Sequence, residues 1–124
     1  LVEDTVALAD QLLPLLRDSD DGRILFTSSS VGRKGRAFWG AYAASKAATE
    51  NLSQTLAEEL ENTSKIRVNT INPGATRTDM RALAYPGEDA EKLKSPEQIV
   101  ASYLYLLGPE GAAINGQSLD AQPR

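Results

Sequence analysis

The sequence predicts an α/β protein built on a parallel sheet, and two observations support this prediction. Residues 23–29 are short, apolar on both faces and rich in β-forming side chains, which is typical of a buried parallel strand, and residues 66–71 are predicted to be a second buried strand. Helical patterns precede and separate them, at residues 2–17 and 39–60. Strands that alternate with helices pair in parallel through right-handed crossovers, so we expect three α/β/α layers.

The first elements follow from periodicity and from turn residues. In residues 2–17, apolar side chains recur at helical spacing, and the polar turn at 18–22 ends that helix. After the first strand, the glycines of residues 31–38 indicate a loop. In residues 39–60, alanines and leucines supply the small and apolar faces of a second helix.

The later elements include one well-marked helix start. Residues 75–94 are polar and charged without a clear period, which favours a mobile flap over a core element. A serine cap, a proline and a glutamine then mark the start of a helix over 96–108. A last short strand is expected at 117–121. Three strands are few for a sheet covered on both faces, so we expect the chain to form about half of a larger sheet.

Composition excludes several kinds of chemistry. The 124 residues contain no cysteine and no histidine, which removes disulfides, thiolate catalysis and the commonest metal ligands, so no metal site is expected. A net charge of −4 argues against nucleic-acid binding. No apolar run is long enough to span a membrane, and the acidic start differs from a secretory signal. We therefore expect no membrane association and a cytoplasmic location.

Tyr42 and Lys46 form the first candidate pair for catalysis. They are four residues apart on the predicted helix, so they lie on one face and within reach of each other. A phenol has a pKa near ~10, and a nearby cation lowers that pKa by roughly 1–3 units, towards the range where acid–base catalysis is efficient. On the spacing alone, an ordinary surface helix is the favoured interpretation.

Two further segments are expected at one edge of the sheet. Ser29 lies at the carboxyl end of the first strand, thirteen residues before Tyr42, and Asn72-Pro73-Gly74 ends the second strand. Open α/β sheets bind ligands outside the carboxyl ends of their strands. Each segment also has an ordinary explanation as loop or turn chemistry.

Four motifs in order resemble the short-chain dehydrogenase/reductase family. The segments GRILFTSSSVG, AYAASKAA, RVNTINPGATRT and NGQSLDA resemble that family's serine strand, its Tyr-x-x-x-Lys helix, its Asn-Pro-Gly turn and its final strand. The resemblance covers nearly all of the chain and is nearest to a bacterial subgroup described only as oxidoreductases. It implies a Rossmann-type doubly wound parallel sheet. Residues 1–124 would be the carboxyl-terminal half of one such domain, with the amino-terminal nucleotide-binding part absent.

The resemblance also implies a function and the role of each site residue. It implies an NAD(P)-dependent oxidoreductase that interconverts a small-molecule carbonyl and an alcohol by hydride transfer, with NAD or NADP as cofactor. Tyr42 would be the general acid/base on the substrate oxygen. Lys46 would lower the pKa of the phenol and hydrogen-bond the nicotinamide ribose, and Ser29 would orient the carbonyl. The implied cofactor-binding residues are Tyr42, Lys46, Pro73, Gly74, Thr76 and Thr78.

The chain departs from the family pattern at both ends. The glycine-rich nucleotide-binding turn and the Asn-Asn-Ala-Gly segment are absent, and the asparagine of the family's catalytic tetrad would fall at about Leu1. The last strand reads LDAQPR where the family has Asp-Gly-Gly. We therefore expect the 124-residue chain by itself to be inactive.

Two alternatives stay open. One is an extended relative that acts on a sugar nucleotide; such relatives share the Tyr-Lys pair but are longer after the Asn-Pro segment. The other is an inactive fragment that acts only as an assembly module. In either an enzyme or a module, the small and apolar surface of helices 2–17 and 39–60 predicts pairing into a homodimer or homotetramer, as the resemblance also implies.

Several polar and aromatic residues have simpler interpretations. The basic cluster of Arg33, Lys34 and Arg36 is predicted to be a solvated loop. Phe38 and Trp39 are expected to pack at the start of a helix rather than bind substrate.

Overall fold

The computed structural model describes residues 2–123, which form a three-stranded parallel sheet and its flanking helices. The helices are α1 (Val2–Asp18), α2 (Ser30–Arg33), α3 (Gly40–Glu61), α4 (Asp79–Ala84) and α5 (Pro96–Leu107). The strands are β1 (Arg23–Thr27), β2 (Arg67–Asn72) and β3 (Ser118–Asp120), and 3₁₀ turns lie at Ala90–Lys92 and Pro109–Ala113. β2 is the central strand and pairs in parallel with both neighbours. Leu1 lies outside the described residues.

The six predicted helices and strands are confirmed, with ends that differ by one or two residues. Sequence reasoning missed two short helices. Most of α2 lies in the segment 31–38 that was predicted as a loop, and α4 lies in the segment 75–94 that was predicted as a flap. These helices have four and six residues, too few for a hydrophobic period to show in the sequence.

Helices cover both faces of the sheet, which confirms the three-layer arrangement. α1 and α3 pack on one face, around a buried cluster of Ala9, Leu56, Ala57, Leu60, Ile66 and Val68. On the other face, Ile71 of β2 shares a small cavity with Ala101 and Leu106 of α5. Neighbouring residues of a strand point to opposite faces, so β2 contributes side chains to both layers.

α1 and α3 lie side by side, as predicted. Leu56 and Leu60 of α3 are buried in the chain's own core, whereas α1 leaves Leu8, Leu12 and Leu15 exposed. Of these two helices, α1 therefore carries most of the large exposed apolar side chains. Self-association through these two helices stays a prediction.

The predicted capping motif opens α5. The backbone N–H of Ser95 donates to Gln98 Oε1 at 2.8 Å, and Pro96 is the first residue of the helix. Within residues 2–123, neither α5 nor any other helix has the length and apolarity needed to cross a membrane.

Candidate active site

A cleft of about 340 Å³ lies where β1 and β2 end. The two strands are parallel, so the residues that follow Thr27 and Asn72 meet at one edge of the sheet. Lys46 lies beside this cleft, in a cavity of about 160 Å³ to which Tyr42 also contributes. The predicted site residues that line the cleft itself are Ser29, Tyr42, Pro73, Gly74, Thr76 and Thr78.

Tyr42 and Lys46 occupy successive turns near the start of α3. Tyr42 is partly exposed, at 39% of its surface. Lys46 Nζ lies 5.6 Å from the centroid of the Tyr42 ring and donates to the carbonyl oxygen of Thr27 at 3.2 Å. This hydrogen bond holds the ammonium next to the phenol, so a proton-carrying group has a positive charge beside it.

The three serines after β1 have different surroundings. Ser28 is buried, and its hydroxyl donates to Glu50 Oε1 at 2.6 Å. Ser29 has an extended backbone at the N-cap of α2, and its side chain makes no capping hydrogen bond to that helix. Ser30 is the first residue of α2. Ser29 therefore lines the cleft with a hydroxyl that the helix does not use.

The Asn72-Pro73-Gly74 turn is held by hydrogen bonds from two directions. Asn72 Oδ1 accepts from the backbone N–H of Gly74 at 3.1 Å. Gln122 Nε2 donates to the carbonyl oxygens of Pro73 and Ala75, both at 2.9 Å. Gly74 has a φ of 75°, a conformation that glycine adopts without steric cost. The turn thus presents a fixed backbone surface to the cleft.

Thr76 and Thr78 continue the wall of the cleft towards α4. Thr76 is buried, and its hydroxyl donates to the carbonyl oxygen of Gly74 at 3.1 Å. The Thr78 hydroxyl caps α4 by accepting from the backbone N–H of Arg81 at 3.1 Å. A hydroxyl that accepts a hydrogen bond still has its proton to donate, so Thr78 can also bind a ligand.

Behind the cleft, the buried carboxylate of Glu50 links α3 by hydrogen bonds to β2, to β3 and to the residue that follows β1. Glu50 is only 7% exposed, and its Oε1 accepts from the hydroxyls of Ser28 at 2.6 Å and Ser118 at 2.9 Å. Its Oε2 accepts from the hydroxyl of Thr70 at 2.8 Å. Burial by itself raises the pKa of Glu50, but the three hydroxyl donors and the nearby Arg33 guanidinium outweigh burial and hold the pKa below its ordinary value.

Arg33 completes this network, so its predicted place in a solvated loop is wrong. Its guanidinium donates to Asp120 Oδ1 at 2.7 Å and to the Ser118 hydroxyl at 2.9 Å. Its Nε also lies 3.5 Å from Glu50 Oε1. These contacts anchor α2 to β3 and place a cation against the buried carboxylate.

Sequence reasoning missed Glu50, although the spacing of α3 contains a signal for it. Glu50 follows Lys46 by four residues, so both side chains project from the same side of the helix. Lys46 contacts Thr27 and Glu50 contacts Ser28, which are consecutive residues at the end of β1. Two side chains one turn apart therefore hold α3 against the strand that leads to Ser29.

Gly32 allows α2 to approach the backbone of α3 closely. A Cβ built at Gly32 would lie 2.8 Å from the Cβ and from the carbonyl carbon of Lys46, which is shorter than real contacts of this kind. Because these atoms belong to the backbone of a long helix or adjoin it, they cannot rotate away.

We expect Gly32→Ala to lower the free energy of unfolding of the complete protein by about 1–3 kcal/mol, because the added methyl group separates α2 from α3. Urea unfolding measures this loss. Gly35→Ala is the matched control, because a Cβ there meets no atom within 4 Å. Equal effects of the two substitutions would contradict the close-packing explanation.

The two aromatic residues before α3 behave differently from each other. Trp39 packs at the helix start, as predicted, with ring centroids 5.8 Å from Tyr42 and 6.2 Å from Tyr85. It also lines the cleft, which was not expected. The prediction that Phe38 packs there is wrong, because its side chain is fully exposed and its φ is 71°.

The segment predicted as a flap contains folded structure. Arg81 donates to both carboxylate oxygens of Glu88, at 2.8 and 2.9 Å, and its guanidinium lies 3.9 Å from the centroid of the Tyr85 ring. The backbone N–H of Arg77 donates to the carbonyl oxygen of Lys94 at 2.9 Å, which joins the two ends of the segment. The mobility of this segment before ligand binding stays a prediction.

Known proteins resemble the chain in both sequence and structure. The uncharacterized oxidoreductase YciK of Escherichia coli is 56% identical over 122 residues, which are 98% of this chain and 48% of YciK. A 3-oxoacyl-acyl-carrier-protein reductase, FabG of Vibrio harveyi, is 34% identical over 106 residues, 79% of this chain and 43% of FabG. These matches confirm the predicted resemblance to bacterial oxidoreductases.

Solved structures agree with the observed fold. A protein of Pseudomonas syringae described as a short chain dehydrogenase has a TM-score of 0.94 and 60% identity, over 98% of this chain and 49% of its own. One from Escherichia coli, described in complex with NADPH, has a TM-score of 0.94 and 56% identity, over 98% of this chain and 50% of its own. These similarities confirm the Rossmann-type fold.

The chain spans about half the length of the curated relatives and solved structures that it matches. The pattern of the short chain dehydrogenase family matches residues 2–89, which include β1, the Tyr-x-x-x-Lys helix and the Asn-Pro-Gly turn. The chain therefore belongs to the short chain dehydrogenase family.

Proposed function

We propose that the complete protein is an NAD(P)-dependent oxidoreductase that interconverts a carbonyl and an alcohol by hydride transfer. The cleft at the carboxyl ends of β1 and β2 supports this proposal, because Ser29 and Tyr42 line the same space and Lys46 lies against the Tyr42 ring. Membership of an oxidoreductase family supports the same reaction class.

Each of the three residues has a role that its surroundings allow. In reduction, the Tyr42 hydroxyl gives its proton to the substrate oxygen, and in oxidation the phenolate accepts it. Ser29 donates a hydrogen bond to the carbonyl and holds it next to Tyr42. Lys46 has three N–H donors and uses one of them on Thr27, so two remain for the hydroxyls of a ribose.

A nicotinamide cofactor fits the residues of the cleft. Gly74 lines the cleft with the backbone of the turn, and Thr76 and Thr78 bring two hydroxyls to the same wall. We assign the nicotinamide end of the cofactor to these residues and to Pro73. When bound, the reduced cofactor supplies the hydride. The structures of relatives described with NADP or NADPH support a nicotinamide cofactor, and both NAD and NADP are compatible with the proposal.

The transfer of a label tests the reaction. The complete protein is given NADH or NADPH deuterated at the reactive ring carbon, with aliphatic, aromatic and acyl-thioester carbonyl compounds. We expect deuterium on the carbinol carbon of a product, measured by mass spectrometry. Absence of deuterium from the products of all three classes of carbonyl compound would contradict the proposal.

Ser29→Ala tests the assignment of the serine. Loss of one hydrogen-bond donor to the reacting oxygen is expected to lower kcat by a factor of about 10²–10³. Ser45→Ala is the control, because the Ser45 hydroxyl donates within α3, to the carbonyl oxygen of Tyr42 at 2.8 Å. If Ser29→Ala turns over as fast as the control, Ser29 does not bind the reacting oxygen.

A further inference from the structure

The wall of the cleft next to Tyr42 is aromatic and apolar. Trp39 meets the Tyr42 ring edge to face and stacks on the Tyr85 ring. Met80 and Ile99 also line this part of the cleft. Surfaces of this kind bind flat apolar groups. A ligand that reaches the Tyr42 hydroxyl therefore lies against aromatic side chains.

The charged side chains of the cleft are arginines. Arg36 and Arg81 line it, and its lining within residues 2–123 includes no aspartate or glutamate. Arg81 is neutralised by its two hydrogen bonds to Glu88. Arg36 is exposed, and it is absent from the ion pairs of the described part of the chain, which involve Arg23, Arg33, Arg77 and Arg81. Among the described residues that line the cleft, Arg36 is therefore the cation without an ion pair.

Arg36 lies within reach of a ligand bound at Tyr42. Its guanidinium carbon is 5.8 Å from the centroid of the Trp39 ring, and the Tyr42 ring centroid is also 5.8 Å from it. The guanidinium and the Tyr42 ring are therefore separated by at most twice that distance. This upper limit admits a single aromatic ring that carries a carbonyl group at one end and an anionic group at the other.

We propose that the substrate is a planar aromatic or conjugated carbonyl compound that carries a carboxylate, and that Arg36 binds this carboxylate. The inference rests on the proposed function, since Tyr42 and Ser29 receive the carbonyl group. A guanidinium binds a carboxylate through two parallel charge-assisted hydrogen bonds, and the Trp39 and Tyr85 rings contact the flat body of the compound. Because Arg36 is exposed, added salt weakens this recognition.

A matched pair of compounds tests the inference by binding. 4-Acetylbenzoate and 4-acetylbenzamide share the ring and the ketone and differ in charge. Titration calorimetry with the complete Tyr42→Phe protein and NADP measures recognition without turnover. At low salt we expect the acid to bind about tenfold more tightly than the amide or better, and Arg36→Ala to abolish the difference. Lys34→Ala is the control, because Lys34 is an exposed cation two residues away.

The outcomes separate this inference from the proposed function. Equal affinities for acid and amide, or no measurable binding of either, would overturn the inference. A loss of NADPH affinity in Arg36→Ala with the preference for the acid retained would assign Arg36 to a cofactor phosphate and would overturn it as well. A different result would contradict the proposed function, namely normal turnover of the Tyr42→Phe protein.

Discussion

Tyr42→Phe is expected to lower kcat of the complete protein by a factor of about 10²–10⁴, the usual contribution of a general acid or base. The substitution removes the proton carrier and keeps the ring. The ring makes the edge-to-face contact with Trp39 and the contact with the Lys46 ammonium, so the cleft should keep its shape. The loss of turnover is measured from steady-state rates, with the carbonyl compound that takes up deuterium in the labelling experiment as the substrate.

The cofactor affinity and the fold serve as internal checks on this result. We expect unchanged circular dichroism. The affinity for NADPH is expected to fall by about tenfold at most, the effect of one lost hydrogen bond, because the other implied cofactor contacts remain. Tyr105→Phe is the matched control, since Tyr105 is an exposed tyrosine on α5, away from the cleft. Turnover of Tyr42→Phe at the level of this control would be incompatible with Tyr42 as the proton carrier.

Glu50→Leu is expected to reduce the free energy of unfolding by about 3–5 kcal/mol, the range for removal of one member of a buried charged network. The substitution leaves the hydroxyls of Ser28, Thr70 and Ser118 without their common acceptor. It also removes a carboxylate from Arg33, which keeps its ion pair with Asp120. Urea unfolding of the complete protein at neutral pH measures the effect.

The matched control is Glu58→Leu on the exposed side of the same helix, where a change within about 0.5 kcal/mol is expected. Glu50→Gln is an intermediate variant, because it keeps the volume and part of the hydrogen bonding but removes the charge. A similar loss in Glu50→Leu and in the control would show that the buried network adds little to stability.

The contribution of the Glu50 charge should depend on pH in one direction. Since the folded state lowers the pKa of Glu50 below its ordinary value of 4.5, the ionised form is favoured in the folded protein. The resulting stability is fully present above the pKa of the unfolded state and is lost as the pH falls through the lower folded value. The difference in free energy of unfolding between the unmodified protein and Glu50→Gln should therefore shrink below about pH 4. A constant difference from neutral to acidic pH would contradict this.

The sequence by itself determined the architecture and the edge of the sheet that carries the site. A strand that is apolar on both faces requires helices on both sides, and β1 has this pattern. Parallel strands end at the same edge, so Ser29 after β1 and the Asn72-Pro73-Gly74 turn after β2 had to meet there. The order of the four motifs also identified the family.

The tertiary structure alone decided which polar residues support that edge. Glu50 is a glutamate like the exposed Glu58 and Glu59 of the same helix. The hydroxyls that donate hydrogen bonds to its carboxylate come from positions 28, 70 and 118, which are distant in the sequence. Periodicity shows which face of an element is apolar, but it does not show which distant side chains meet across the sheet. For the same reason, Arg33 could not be distinguished from a solvated arginine until β3 placed Asp120 beside it.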